Sequence, residues 1–175
     1  MGYTTGTVSC NSARPRGKIT LVADFAAKSS SLLPTDNSRD RAETLALARL
    51  AYDLGKDTTA VGWFRMGLGI AEYRAGHDEA AAETLRTVIG DGQQQISLTS
   101  AFYLAMSLSR QGKEDEARRV ATEAISRMKP HPIDEDNPLA GANHDDLILW
   151  MAYKEAKALL KLDSAPASQA KPKGQ

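Results

Sequence analysis

The side chains able to do chemistry in this 175-residue chain are few and scattered. His131 and His144, with Asp134, Glu135, Asp136, Asp145 and Asp146, carry donor types that bind a divalent metal. Their spacing follows no ligand pattern, and acidic clusters in linkers are ordinarily solvated. Cys10 is the single thiol and has no histidine near it in sequence to activate it. Gly67-Leu68-Gly69 lacks the third glycine of a phosphate-binding fingerprint and falls inside a helical pattern instead of following a strand. Arg74 and Arg110 stand out because they occupy equivalent places 36 residues apart. A guanidinium grips a carboxylate through two parallel hydrogen bonds, so the chemistry they offer is recognition. The sequence predicts no catalytic residue, no cofactor and no metal ion, and hence a chain that is not an enzyme.

The elements that position these arginines repeat at the same offset. Leu68-Gly69 through Arg74, Gly76, Ala81, Val88 and Ile89 align with Leu104-Ala105 through Arg110, Gly112, Ala117, Ala124 and Ile125. A period between about 20 and 50 residues, with small residues and a glycine turn, indicates stacked helical hairpins. One inner helix carries Trp63, Met66, Ile70 and Tyr73 in a line and ends at Gly76; its partner runs from Asp78 to Gly90. A second inner helix runs from Leu98 to Gln111, turns at Gly112, and its partner continues to about Met128. Glycine permits each tight turn. Gly69, Ala105, Ala81 and Ala117 are the small residues expected where backbones approach closely. A single pair of helices would bury too little to offset its ordering entropy, so the pairs must stack.

Flanking segments complete the pattern. Leu21, Val22, Phe25, Ala26 and Leu32-Leu33 suggest a short helix before Pro34, weakened by Ser29-Ser30-Ser31. Asp36-Asn37-Ser38 offers N-caps for a helix to Leu54, with Gly55 in a C-terminal position. On the outer helix of the second hairpin, Glu114–Arg118, Asp115–Arg119 and Glu123–Arg127 are acid-before-base pairs of a solvated face. Pro130 and Pro132 stop that helix and open an acidic linker. The last helix opens near Asn143 with Asp145 and Asp146 in its first turn. Its stripe of Leu147, Trp150, Met151 and Leu159 suits a cap over the open end of a stack. The expected organisation is a disordered arm over 1–18, hairpins over 19–54, 59–90 and 96–129, a capping helix over 144–161 and a disordered tail over 162–175.

Charge gives no net field, with 22 basic and 22 acidic residues, so nucleic acid is not an expected partner. No apolar run reaches the roughly 18 residues of a membrane span, and the first residues lack the apolar stretch of a secretory signal. Thr7-Val8-Ser9-Cys10 likewise lacks the apolar segment that would precede a lipoprotein cleavage site. The expectation is a cytoplasmic protein without membrane contact.

Leu68-Gly69, Gly76, Ala81 and Leu85 to Val88, then Leu104-Ala105, Gly112, Ala117, Ala121, Ala124 and Pro130, resemble the tetratricopeptide repeat. Glu72 stands where that pattern has an aromatic, Trp63 falls two residues early, and the period exceeds the usual 34 by two. The stretches 69–76, 100–112 and 137–150 resemble the repeat region found C-terminal to certain bacterial serine/threonine protein kinases. No His-Arg-Asp or Asp-Phe-Gly triplet of a kinase occurs in the chain, so the resemblance implies a regulatory or scaffold segment.

It also implies an all-α, tetratricopeptide-type solenoid of about three hairpins whose inner helices line a concave groove. Met66, Ile70, Tyr73, Arg74, Phe102, Met106 and Arg110 are the expected groove residues, binding a partner peptide or helix. On that expectation, reversing the charge of Arg74 and Arg110 weakens partner capture and spares folding. The same side chains, Phe102 and Trp63 above all, would serve equally as packing between neighbouring helices. The remaining alternative is self-association, with the apolar stripe of the last helix as its contact.

Overall fold

The computed structural model describes residues 13–90, 92–128 and 143–162. These residues form seven helices and no strand: α1 (Ala13–Ser31), α2 (Ser38–Gly55), α3 (Val61–Arg74), α4 (Asp78–Arg86), α5 (Gln94–Arg110), α6 (Glu114–Arg127) and α7 (His144–Leu160). The protein is all-α over this extent. The expected arm over 1–12, the linker with His131 and Asp134 to Asp136, and the tail from residue 163 lie outside the described residues.

Local chemistry accounts for four of the helix ends. Asn37 caps α2 by accepting the Arg39 N–H at 3.0 Å. Asn143 caps α7 by accepting the N–H groups of Asp145 and Asp146, while the Asp146 carboxylate takes the Asn143 N–H. This reciprocal arrangement satisfies donors that the first helical turn leaves unpaired. Gly76 and Gly112 have φ of 81° and 75°, where a Cβ would be strained. Beyond each glycine the chain folds back, and His77 N–H donates to the Glu72 carbonyl while Lys113 N–H donates to that of Leu108, both at 2.9 Å. The two repeat copies therefore end their inner helices in the same way.

Several boundaries differ from expectation: α4 ends at Arg86 and not at Gly90, and α5 begins at Gln94 and not at Leu98. The chain is helical from Ala13, so residues 13–18 belong to α1 and not to an arm. Pro15 is tolerated because an N–H in the first turn has no intrahelical acceptor. At the other end, Ser31 Oγ donates to the Ala27 carbonyl at 2.8 Å, which keeps its hydroxyl satisfied inside the helix. Gly55 is needed for a reason other than a left-handed turn: a Cβ there would lie 2.2 Å from the Phe64 ring.

Consecutive helices pack as pairs, α1 on α2, α3 on α4 and α5 on α6, and each pair leans on the next through α2–α3 and α4–α5. The inner helices α1, α3 and α5 also touch in sequence. α7 packs mainly on α5 and only slightly on α6. One large apolar core runs through α3 to α7, with smaller clusters where α1, α2 and α3 meet. In the first repeat copy, a Cβ on Gly69 would meet Leu85 Cγ at 2.6 Å, so that glycine makes room for a leucine on α4. In the second copy the equivalent positions hold Ala105 and Ala121, both fully buried. The repeat redistributes volume between facing helices while keeping the helices close.

Candidate functional site

Arg74 ends α3 beneath a cluster of aromatic rings, and its guanidinium reaches four helices. It donates to the Glu155 carboxylate of α7 at 2.5 and 2.6 Å, a two-point grip. It also donates to the Ser31 carbonyl at 2.8 Å, to that of Leu32 at 3.3 Å, and to the Tyr103 hydroxyl at 3.1 Å. The guanidinium carbon lies 5.3 Å from the ring centroids of both Tyr73 and Tyr103. Those two rings meet edge-on at 5.5 Å. The Arg74 side chain is 6 % exposed and that of Glu155 28 %. Burial by itself would discourage the charge on Arg74, but the Glu155 hydrogen bond together with the electrostatic influence of Tyr103, Glu155 and Tyr73 outweighs it and holds its pKa above the ordinary value.

The tyrosines stay protonated around this cation. Burial pushes Tyr73 up to about 12 despite the opposing influence of Arg110, and burial likewise raises Tyr103. Tyr73 donates its proton to Met106 Sδ at 3.7 Å. The Tyr103 hydroxyl is left as an acceptor for Arg74.

Arg110 does for α3 what Arg74 does for α1. It donates to the Tyr73 carbonyl at 3.0 Å, lies 3.8 Å over the Tyr73 ring, and pairs with Asp78 at 3.6 Å. Gln111 adds a bond to the Asp78 carbonyl at 2.9 Å. Each repeated arginine thus binds carbonyls at the C-terminal end of the preceding inner helix, where the helix dipole favours a cation. The periodic arginine is a device for joining inner helices in series.

The groove expectation is corrected by these positions. Met66, Ile70, Tyr73, Phe102 and Met106 are 1, 3, 1, 0 and 0 % exposed and belong to the main core. Arg74 is enclosed as well, and of the expected set only Arg110 keeps substantial exposure, at 39 % of its side chain. The cause is α7. It lies along α5, its Tyr153 ring 5.6 Å from Phe102, and its Glu155 fills the valence of Arg74. Leu149, Ala152, Ala156 and Leu160 form its buried stripe. The helix expected as an end cap packs on α5 and slightly on α6, the last helical pair, and reaches α3 through Glu155.

Glu155, Tyr103 and Tyr153 complete the site and were not singled out by sequence. Glu155 reads locally as part of the polar side of α7, and only the long-range pairing reveals its role. Among the described residues no three His, Cys, Asp or Glu side chains converge as a metal site would require, and no helix is long and apolar enough to cross a membrane. What this arrangement does chemically is hold a carboxylate presented by a helix. No protein-family model, curated protein or solved structure matches the chain.

Proposed function

We propose that this chain is a tetratricopeptide-type solenoid of three helical hairpins that works as a non-catalytic protein–protein interaction module. Its inner face accepts a helix and orients it by a carboxylate held on Arg74. The observation that carries this reading is the Arg74–Glu155 pair: a helix distant in sequence lies on α5 and is tied to α3 by a two-point grip beside two tyrosine rings. Alternation of helix packing, α1·α2, α3·α4 and α5·α6 with serial inner-helix contacts, supports the repeat architecture.

On this reading α7 occupies the face in cis, and a partner helix with an acidic residue at the Glu155 position takes its place. The apolar contacts of Phe102 and Met106 then form with the incoming helix as they form with α7. Half of the buried stripe of α7 is alanine, and a competing helix that carries a carboxylate re-forms the Arg74 pair it displaces, so exchange leaves the anchor satisfied.

A labelled peptide of residues 143–162 tests the proposal by fluorescence anisotropy. A Glu155→Ala chain, whose own helix has lost its anchor, should capture the peptide more tightly than the wild-type chain does. A peptide carrying Glu155→Lys should bind neither. Failure of the Glu155→Ala chain to bind the native peptide, with its helical circular dichroism intact, would contradict the assignment.

A further inference from the structure

We infer that the cleft between α4 and α6 binds a medium-chain carboxylate, its head held at Ser97 and Arg127 and its chain laid along α5. The site shares no residue with the Arg74 junction. α4 has 9 residues where its repeat equivalent α6 has 14. Thr87 donates both its hydroxyl and its N–H to the Thr84 carbonyl, and Gly90 at φ 94° turns the chain toward α5. Arg86, the last residue of α4, pairs with Glu116 in the first turn of α6 at 3.0 Å. Past that pair α6 faces Ile89 of the turn, and a cavity of about 380 Å³ opens over α5.

The lining suits a ligand with a long apolar part. Leu98, Ala101 and Leu104 of α5 form the floor, with Val120 and Ala124 of α6 beside Ile89. Sites for small molecules are mostly apolar, with a few placed polar groups. At the ~30 Å³ that a water molecule occupies in the liquid, the cavity holds about a dozen non-hydrogen atoms. Ser97 and Leu104 stand about 10 Å apart along α5, so an extended chain of that size matches the floor in length.

One end of the cavity offers donors to an anion. Ser97 is 1 % exposed, and its Oγ accepts the Gly90 N–H at 3.0 Å. Its own proton has no acceptor among the described residues. Gln94 Nε2 donates to the Arg127 carbonyl at 2.8 Å, which sets the first turns of α5 against the end of α6. The Arg127 guanidinium is exposed there and has no ion pair among the described residues. No side chain caps α5, so its N-terminal dipole adds to the attraction. Against the anion stand Glu123 and the carbonyl end of α6. Arg86 and Glu116 satisfy each other, which leaves Arg119 and Arg127 with Glu123 alone, a net positive rim. A guanidinium grips a carboxylate through paired hydrogen bonds, and an uncharged head forfeits that grip.

Decanoate has the size and the head group required, and titration into the full chain followed by methyl NMR tests the site. It should bind with a Kd of about 0.1 mM and shift the signals of Leu98, Leu104 and Val120 together. Decanol keeps the chain without the charge and should bind about tenfold more weakly. Arg127→Gln, a surface change that should leave the circular dichroism melt unaltered, should erase most of that preference. Glu123→Gln should strengthen decanoate binding about threefold. Absence of a saturable shift by about 2 mM decanoate, well above the expected Kd, would overturn the inference. So would equal binding of decanol and decanoate, a preference unchanged in Arg127→Gln, or shifts confined to the exposed Ile19, Val22 and Phe25 of α1.

Discussion

Arg74 and Glu155, 81 residues apart in sequence, form the ion pair that ties α7 to the inner helices. The pair is mostly enclosed, and Arg74 simultaneously closes the ends of α1 and meets Tyr103. This one guanidinium therefore links four helices. Arg110, its counterpart in the next repeat copy, links fewer groups and is far more exposed.

The difference predicts unequal costs of truncation. Removing Arg74 leaves a partly buried carboxylate and two helix-end carbonyls without their donor, so Arg74→Ala should destabilise the fold by about 3–5 kcal/mol. Arg110→Ala removes a longer pair, 3.6 Å, whose arginine is partly exposed, and should cost only about 1 kcal/mol. Urea unfolding of the two variants checks the ranking. Equal losses would show that Arg74 is not the junction described.

Gly69 and Leu85 form a second coupled pair. Gly69→Ala alone forces the leucine aside in a packed core and should destabilise by about 1–3 kcal/mol, despite the better helix propensity of alanine. Gly69→Ala with Leu85→Ala reproduces the Ala105 and Ala121 arrangement of the second copy. A double-mutant cycle should therefore show the pair less destabilised than the sum of its members. Strict additivity would mean the two helices do not meet as described.

Glu72 makes the stability pH-dependent. It is 7 % exposed, and its Oε2 has no hydrogen-bond partner among the described residues. Burial raises its pKa above the ordinary 4.5, with only partial opposition from Thr84, Arg49 and His77. The folded chain then holds this proton to higher pH than the unfolded chain does. Its contribution is fully present below the unfolded value of 4.5 and is lost as pH rises through the raised folded value. Burial raises Asp24 and Asp78 in the same direction, against the influence of Lys28 and Arg110 respectively. Glu72→Gln should thus stabilise at pH 7 by about 1 kcal/mol and give little or no gain near pH 4. Thermal melts at the two pH values decide it, and an equal effect at both would exclude the charge as the cause.

How much of this was legible in the sequence depends on the range of the interactions. Asn37, Asn143, Gly76 and Gly112 marked helix ends correctly because capping and left-handed turns are decided within a few residues. The helical spacing of Met66, Ile70, Tyr73, Phe102 and Met106 showed that they share a face. It could not show that the face is enclosed, because contacts such as Tyr153 on Phe102 come from far along the chain. The polar reading of Glu155 failed for the same reason. In α1, periodicity identified the apolar residues but not their direction. Its small, polar inner face depends on the room that Gly67 leaves for Asp24.

The central claim is that the inner face holds a helix that can leave it. Hydrogen exchange of the intact chain, followed by mass spectrometry, measures this directly. Peptides from α7 should exchange through a local opening well before those of α3 and α5, and Glu155→Ala should accelerate α7 selectively. Exchange of α7 only in step with α3 and α5, in both chains, would show that α7 is a permanent part of the core and would contradict the account.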